Sequence, residues 1–225
     1  MIIDKTYFQG QVYIPQAKAG ITDSVSEVAA EVDQFIADYV RECLIKCLGF
    51  QLFTELSNEL DSTQPNGLKV TADAKWDDLL NGKTYIDQES FLDVHWRGIR
   101  FKSIESGDYN RSFLAYYTYY FFEDNDHITR ASTGHTIITP KNAENVTPTK
   151  KVVTAWNKFV EIVQGYEVEP KTFYTKDGMI GIDYRAQVGV EINMNQFIED
   201  TNTITPDTYE NFNPTKFERI NQFGF

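Results

Sequence analysis

Cysteine is scarce in this chain: Cys43 and Cys47 are the only two, too few for a disulfide framework. Long apolar runs are missing as well; none approaches the ~20 residues that a bilayer-spanning helix needs, so no membrane segment is expected. Met1-Ile2-Ile3-Asp4 lacks the basic start and following apolar stretch of a secretory leader, and none is expected. Basic residues are outnumbered, 21 against 33 acidic, for a net charge of -12. That balance disfavours a duplex DNA binder, whose affinity comes largely from cations on phosphates. It does not exclude a protein that surrounds DNA and must avoid sticking to it.

Catalytic signatures are equally thin. No Walker-type loop, G-x-G-x-x-G turn or H-E-x-x-H pair is present, and no serine sits in a G-x-S-x-G elbow. His95, His127 and His135 are scattered. His127 and His135, near Asp124 and Asp126, are a weak candidate cation pair, since loop histidines are more often simply solvated. Cys43 and Cys47 lie one helical turn apart, but nothing near them in sequence completes a four-ligand site. Both fall on an apolar stripe, where cysteine behaves as a small hydrophobe. No catalytic, cofactor or metal residue is therefore assigned, and no cofactor is expected.

What the chain does have is a globular composition. Apolar residues make up 41% and charged residues 24% of its 225 positions, which argues against disorder. Aromatics reach 14%, with 16 Phe, 13 Tyr and 3 Trp, enough for a sizeable core or a large contact surface. The length favours one globular domain with appendages.

The first clear helix is expected over 25–48. Ser24 and Glu27 match a capping box, and Gly49 suits the left-handed position past the end. Val28, Val32, Ile36, Val40, Cys43 and Cys47 keep to one face, while Asp23, Glu27, Glu31, Asp38 and Glu42 project opposite. Residues 22–61 hold nine acids and two bases, and so carry -7 of the total charge. A shorter helix through Leu52, Phe53, Leu56 and Leu60 follows, broken by Pro65-Asn66-Gly67. A brief helix over 72–80 stops at Gly82. Residues 83–107 read as irregular around Trp96-Arg97-Gly98-Ile99. The aromatic run 113–122 reads as a helix apolar nearly all round, implying burial on more than one side; its composition would equally suit a strand, but its length favours the helix. Residues 123–146 read as a long polar loop. Thr147, Pro148 and Gly165 bracket a further helix carrying Val152, Trp156, Phe159 and Val163. Residues 1–21 look extended, with a strand-like Val12-Tyr13-Ile14.

From Tyr166 the pattern changes. Phe173-Tyr174-Thr175 and Met179-Ile180-Gly181-Ile182 flank Lys176-Asp177-Gly178, a hairpin signal. Beyond Asn195, Phe197, Tyr209, Phe212, Phe217, Phe223 and Phe225 punctuate an Asn/Thr/Pro-rich stretch. Those rings either fold back on the helical body or pack on another subunit; they are the candidate subunit-interface residues. The expected fold class is mainly α: a helical bundle over 1–165, then a β-hairpin and extended interaction arm over 166–225. The acidic face has two readings, a solvated surface or the lining of a channel, for which Glu27, Glu31, Asp38 and Glu42 are the candidates.

The order of parts carries a resemblance. It runs through Cys43-Leu44-Ile45-Lys46-Cys47-Leu48-Gly49-Phe50-Gln51-Leu52-Phe53, Trp76-Asp77-Asp78-Leu79-Leu80-Asn81-Gly82, Trp96-Arg97-Gly98-Ile99, the aromatic 112–122 segment and Ala155-Trp156-Asn157-Lys158-Phe159. Over about residues 20–165 this resembles the head–tail connector (neck adaptor) proteins of tailed bacteriophages, in particular those of crAss-like phages. The resemblance implies a structural virion protein, not an enzyme. It implies a homo-oligomeric ring, commonly of twelve copies, assembled in the host cytoplasm. The ring would sit below the portal protein and against neighbouring neck and tail proteins, passing DNA without sequence-specific binding and touching no membrane. Two further classes remain open: another structural virion protein (tail stopper, tube or capsid accessory), and a hydrolase using Asp93 or Glu105 near His95.

Overall fold

The computed structural model describes residues 2–14, 27–87, 93–103, 109–126, 129–131, 134–136, 149–165, 171–174, 180–183 and 191–221. Its helices are α1 (Glu27–Leu48), α2 (Phe50–Glu59), α3 (Ala74–Asn81), α4 (Phe113–Asp126), α5 (Thr149–Gln164) and α6 (Met194–Ile204). Its strands are β1 (Lys83–Ile86), β2 (Asp93–Trp96), β3 (Arg100–Ser103), β4 (Tyr109–Ser112), β5 (Thr129–Ala131), β6 (Gly134–Thr136), β7 (Lys171–Tyr174) and β8 (Ile180–Asp183). They pair in order as four antiparallel two-stranded ribbons.

This is a mixed α/β architecture, and it corrects the expectation of a mainly α helical bundle. The stretch 83–107, expected to be irregular, holds β1, β2 and β3, which with β4 form two ribbons, Lys83 opposite Trp96 and Arg100 opposite Ser112. The signal was present but short: Asp93-Val94-His95-Trp96 alternates exposed and buried residues, and four residues give only two periods of the strand repeat. Two short backbone ribbon strands, β5 and β6, also lie within the stretch read as a polar loop. The ribbon β7–β8 falls where the hairpin was expected; its Lys176-Asp177-Gly178 turn lies outside the described residues. So do Ser24, Thr147 and Pro148, the expected helix starts.

The aromatic run is a helix. In α4 every residue from Phe113 to Tyr119 is buried, because α1 packs on one side and α5 on another. Tyr117 is its hub: its ring lies 5.0 Å from Phe159 and 6.0 Å from Trp156 on α5, and 6.5 Å from Tyr39 on α1. Offset and edge contacts of this kind add to plain apolar burial. The amino-terminal segment, expected to be extended, forms two 3-10 turns, Lys5–Tyr7 and Gly10–Val12. It buries Ile2, Ile3, Phe8, Val12 and Ile14, and Lys5 bridges to Asp33 of α1 at 2.7 Å.

A second aromatic group gathers α3, β1, β2 and α6. Trp96 and Phe197 stack at 5.8 Å, Tyr209 meets Trp76 edge-on at 6.1 Å, and Tyr209 donates its hydroxyl to the Lys75 carbonyl at 2.6 Å. The chain reaches this position through Ile192, whose N–H donates to the His95 carbonyl at 3.0 Å beside β2. Helix α6 corrects the expectation of an extended arm. Asn193 caps it by accepting from the Gln196 N–H at 2.9 Å, and Met194, Phe197 and Ile198 face the core. One buried cluster runs from Ile2 to Phe217, so the expected boundary at residues 165 and 166 does not divide the core. Among the described residues, no helix is long and apolar enough to cross a membrane.

Candidate functional site

Helix α1 carries the features with the most to offer a partner. The four candidate channel residues all lie on it, but in different environments. Glu27 opens the helix. Glu31 is half-buried and Asp38 is exposed. Glu42 is half-buried; it accepts from the Lys46 ammonium at 2.5 Å and from the Tyr117 hydroxyl at 3.0 Å. The Lys46 hydrogen bond, more than the Tyr117 one, holds the Glu42 carboxyl below its ordinary range. The same contacts work the other way on Tyr117, whose hydroxyl is pushed far up, first by burial. The acidic stripe is therefore partly spent inside the molecule. Asp38 presents its carboxylate to solvent, whereas Glu42 ties α1 to α4.

On another flank of α1 lies an apolar groove of ≈ 470 Å³. Ile36, Val40 and Leu44 of α1, Phe50 and Phe53 of α2 and Ile2 line it, with Arg41, Thr54, Ser57 and Asn58 adding polar atoms. The groove exists because Gly49 is the only residue between the two helices. Its φ of +87° turns the chain sharply, a conformation that glycine adopts without steric cost. Phe50, next in line, is left 64% exposed. Arg41 leans over the Phe53 ring, its guanidinium carbon 5.9 Å from the centroid. At 100° per residue, Ile36, Val40 and Leu44 centre roughly 180° around the helix from Asp38, Glu31 and Glu42. Ile36, Val40 and Leu44 are themselves nearly buried, so Phe50 supplies most of the groove's exposed apolar surface, while Asp38 is exposed on the other side of α1.

The carboxyl-terminal aromatics are placed differently from the expectation of a subunit interface. Phe197 and Tyr209 are fully buried, Phe217 is nearly so, and Phe212 is half-buried against the same core. Within the single chain these four rings therefore turn inward on the helical body, the first of the two placements the sequence left open. Phe223 and Phe225 lie outside the described residues. Fold-back won because the Asn-rich segment finds polar partners as it goes. Residues 212–221 form a strap that donates from the Asn213 N–H to the Leu48 carbonyl (3.1 Å) and from the Thr215 N–H to the Lys46 carbonyl (2.7 Å). Those are carbonyls at the end of α1 that the helix itself leaves unpaired. Further on, two carboxamides of α5 grip the strap backbone. Asn157 accepts from the Ile220 N–H at 3.0 Å and donates to its carbonyl at 2.8 Å. Gln164 does the same for Phe217, accepting at 2.9 Å and donating to its carbonyl. Trp156 adds an indole N–H to the Glu218 carbonyl at 2.7 Å.

The remaining sequence candidates stay apart. Cys43 and Cys47 are both fully buried, with sulfurs 3.8 Å apart; burial pushes the Cys43 thiol well up. His95 and Asp93 share the exposed face of β2. The imidazole Nδ1 lies 3.0 Å from the Thr84 hydroxyl, and burial, then the Arg97 charge, lowers its pKa. Glu105 and His127 lie outside the described residues, and of His135 only its place in β6 is described. Among the described residues, no three His, Cys, Asp or Glu side chains gather where they could hold a metal. Compared with family models, curated proteins and solved structures, the chain matches none.

Sequence reasoning missed the groove and the strap clamp. Phe50 was legible as an aromatic immediately after a helix-ending glycine, a place where little can cover it. Asn157 and Gln164 were legible only as two carboxamides seven residues apart, which says nothing until a chain lies across them.

Proposed function

We propose that this chain is a structural subunit of the head–tail connector of a tailed bacteriophage, whose copies join in a ring below the portal and extend the passage for DNA. The observation that carries this reading is the pair of surfaces beside α1, the groove edged by the exposed Phe50 of α2 and the exposed Asp38. A ring subunit needs a lateral surface for its neighbour and an inward surface that does not hold phosphates. The groove with the exposed Phe50 suits the first need: an open apolar surface gains free energy when a second protein covers it. The exposed Asp38, set in a chain of net charge -12, suits the second, because like charge keeps the DNA backbone from binding. The order of elements between residues 20 and 165 supports the same assignment. The ribbons and α6 make the subunit body mixed rather than purely helical; β3 touches α3, α6 touches α5, and none of their described residues lines the groove.

Light scattering and negative-stain images of the purified protein, alone and mixed with a portal protein, test the proposal. The expected result is a closed ring, or an oligomer that forms on the portal. A monomer indifferent to every virion component overturns it.

A further inference from the structure

The strap is bound in a way that does not depend on which copy supplies it. From Gln164 to Asn157 the helix falls by two turns, about 10.5 Å at 1.5 Å per residue. From Phe217 to Ile220 an extended chain advances by about 10 Å. The two carboxamides therefore match the repeat of the strap, which runs antiparallel to α5, and each pairs with both the N–H and the C=O of one residue. Helix α5 acts here as the edge of a sheet would, reading backbone rather than side chains. In the clamped stretch 217–220 only Phe217 enters a pocket, its ring 4.9 Å from Phe159 and 6.1 Å from Trp156. Asn213, Thr215, Lys216, Glu218, Arg219 and Asn221 point outward and are exposed.

The chain leading into the strap is suited to opening. Tyr209 is anchored against Trp76; after it Glu210 is exposed, and half-buried Asn211 is held by one side-chain bond, donated to the Glu55 carboxylate at 2.7 Å, which opening would break. Just before the anchor, Asp207 holds φ +65°, the only non-glycine with a left-handed backbone among the described residues. Ten extended residues reach about 33 Å, far enough to cross to an adjoining subunit.

We propose that the groove formed by α5 and the end of α1 also takes residues 212–221 of a second copy of this chain, so that subunits are linked by exchanged straps. The inference rests on the assembly reading above and names one contact within it. The contacts made in cis and in trans are the same, so concentration decides. A strap tethered to its own subunit has an effective concentration of about millimolar, and exchange becomes competitive only when copies are held at comparable density, as in a ring.

Two single variants test this in full-length chains: Asn157→Cys in one and Ile220→Cys in the other, mixed and oxidised. The native thiols are buried and do not compete. A disulfide-linked pair joining one chain of each kind, absent from either variant alone and rising in yield as assembly proceeds, is the expected result. The double variant in one chain should close internally when dilute. Because Asn157→Cys removes half of the clamp, carbodiimide coupling of α5 lysines to Glu218, the one carboxylate of the strap, in mixed heavy and light unsubstituted chains provides the second readout, as hybrid peptides. If light scattering shows assembled particles while every link stays within one chain, strap exchange is overturned and the ring reading stands. Monomers at all concentrations, with internal links only, overturn both.

Discussion

Replacing Phe50 with serine separates association from folding. A phenylalanine side chain offers about 150–250 Å² for burial. Phe50 is 64% exposed in the single chain, which leaves about 100–160 Å² for a partner to cover. At about 25 cal/mol per Å² this is worth about 2.5–4 kcal/mol; ordering the side chain at the contact offsets roughly 0.5–1.5 kcal/mol of it. Phe50→Ser should therefore weaken each subunit contact by about 1–3.5 kcal/mol, or about 5- to 400-fold in Kd. The folded monomer should barely notice, since surface substitutions away from the core change stability by about 0.5 kcal/mol or less. Concentration-dependent light scattering reads the first effect and denaturant unfolding the second. Unchanged association at every concentration refutes the groove as a contact surface. A monomer destabilised by several kcal/mol refutes the claim that Phe50 is uncovered.

Three further outcomes follow from the fold. Gly98→Ala should destabilise by about 2–5 kcal/mol, the sum of a left-handed backbone and overpacking: at φ +93° its new Cβ would lie 2.6 Å from the Leu80 carbonyl oxygen, and chemical unfolding measures the loss. Thr118→Val should stabilise by about 1 kcal/mol, raising Tm by about 2–4 °C, because the Thr118 hydroxyl is buried in α4 with no hydrogen-bond partner among the described residues. The Glu42 carboxyl, lowered by Lys46 and Tyr117, contributes stability that is fully present above its unfolded pKa of about 4.3 and is lost as pH falls through its lower folded value. Because Glu42 is half-exposed, with a side chain 43% accessible, the contribution should be at most about 1 kcal/mol. Glu42→Gln should remove it, flattening the acid limb of unfolding curves taken at a series of pH values.

The residues that announced themselves in sequence are those whose effect is local. Gly49 and Gly82 ended helices at positive φ, and the 3- and 4-residue spacing of Val32, Ile36, Val40 and Cys43 placed them on one buried face of α1. The aromatic run 113–122 suits a strand as well as a helix by composition; its length favours the helix, and its being apolar nearly all round implies the burial between two partners that α1 and α5 supply. Short strands were another matter. Residues 93–96 alternate correctly, yet four residues stabilise nothing until a second strand supplies the ladder.

The carboxyl-terminal third shows what tertiary structure alone decided. Helix α6 was legible in Met194, Phe197 and Ile198 but hidden by a Thr- and Asn-rich composition that favours turns. Whether the aromatics beyond Asn195 would turn inward or outward depended on whether pockets between Trp76, Trp96, Trp156 and Phe159 were there to receive them. Those pockets are made by elements more than 50 residues away in sequence. Local spacing fixes which side of a helix a residue faces. It carries no information about which distant segment will arrive to cover that side, because that choice is made by the sum of contacts over the whole chain.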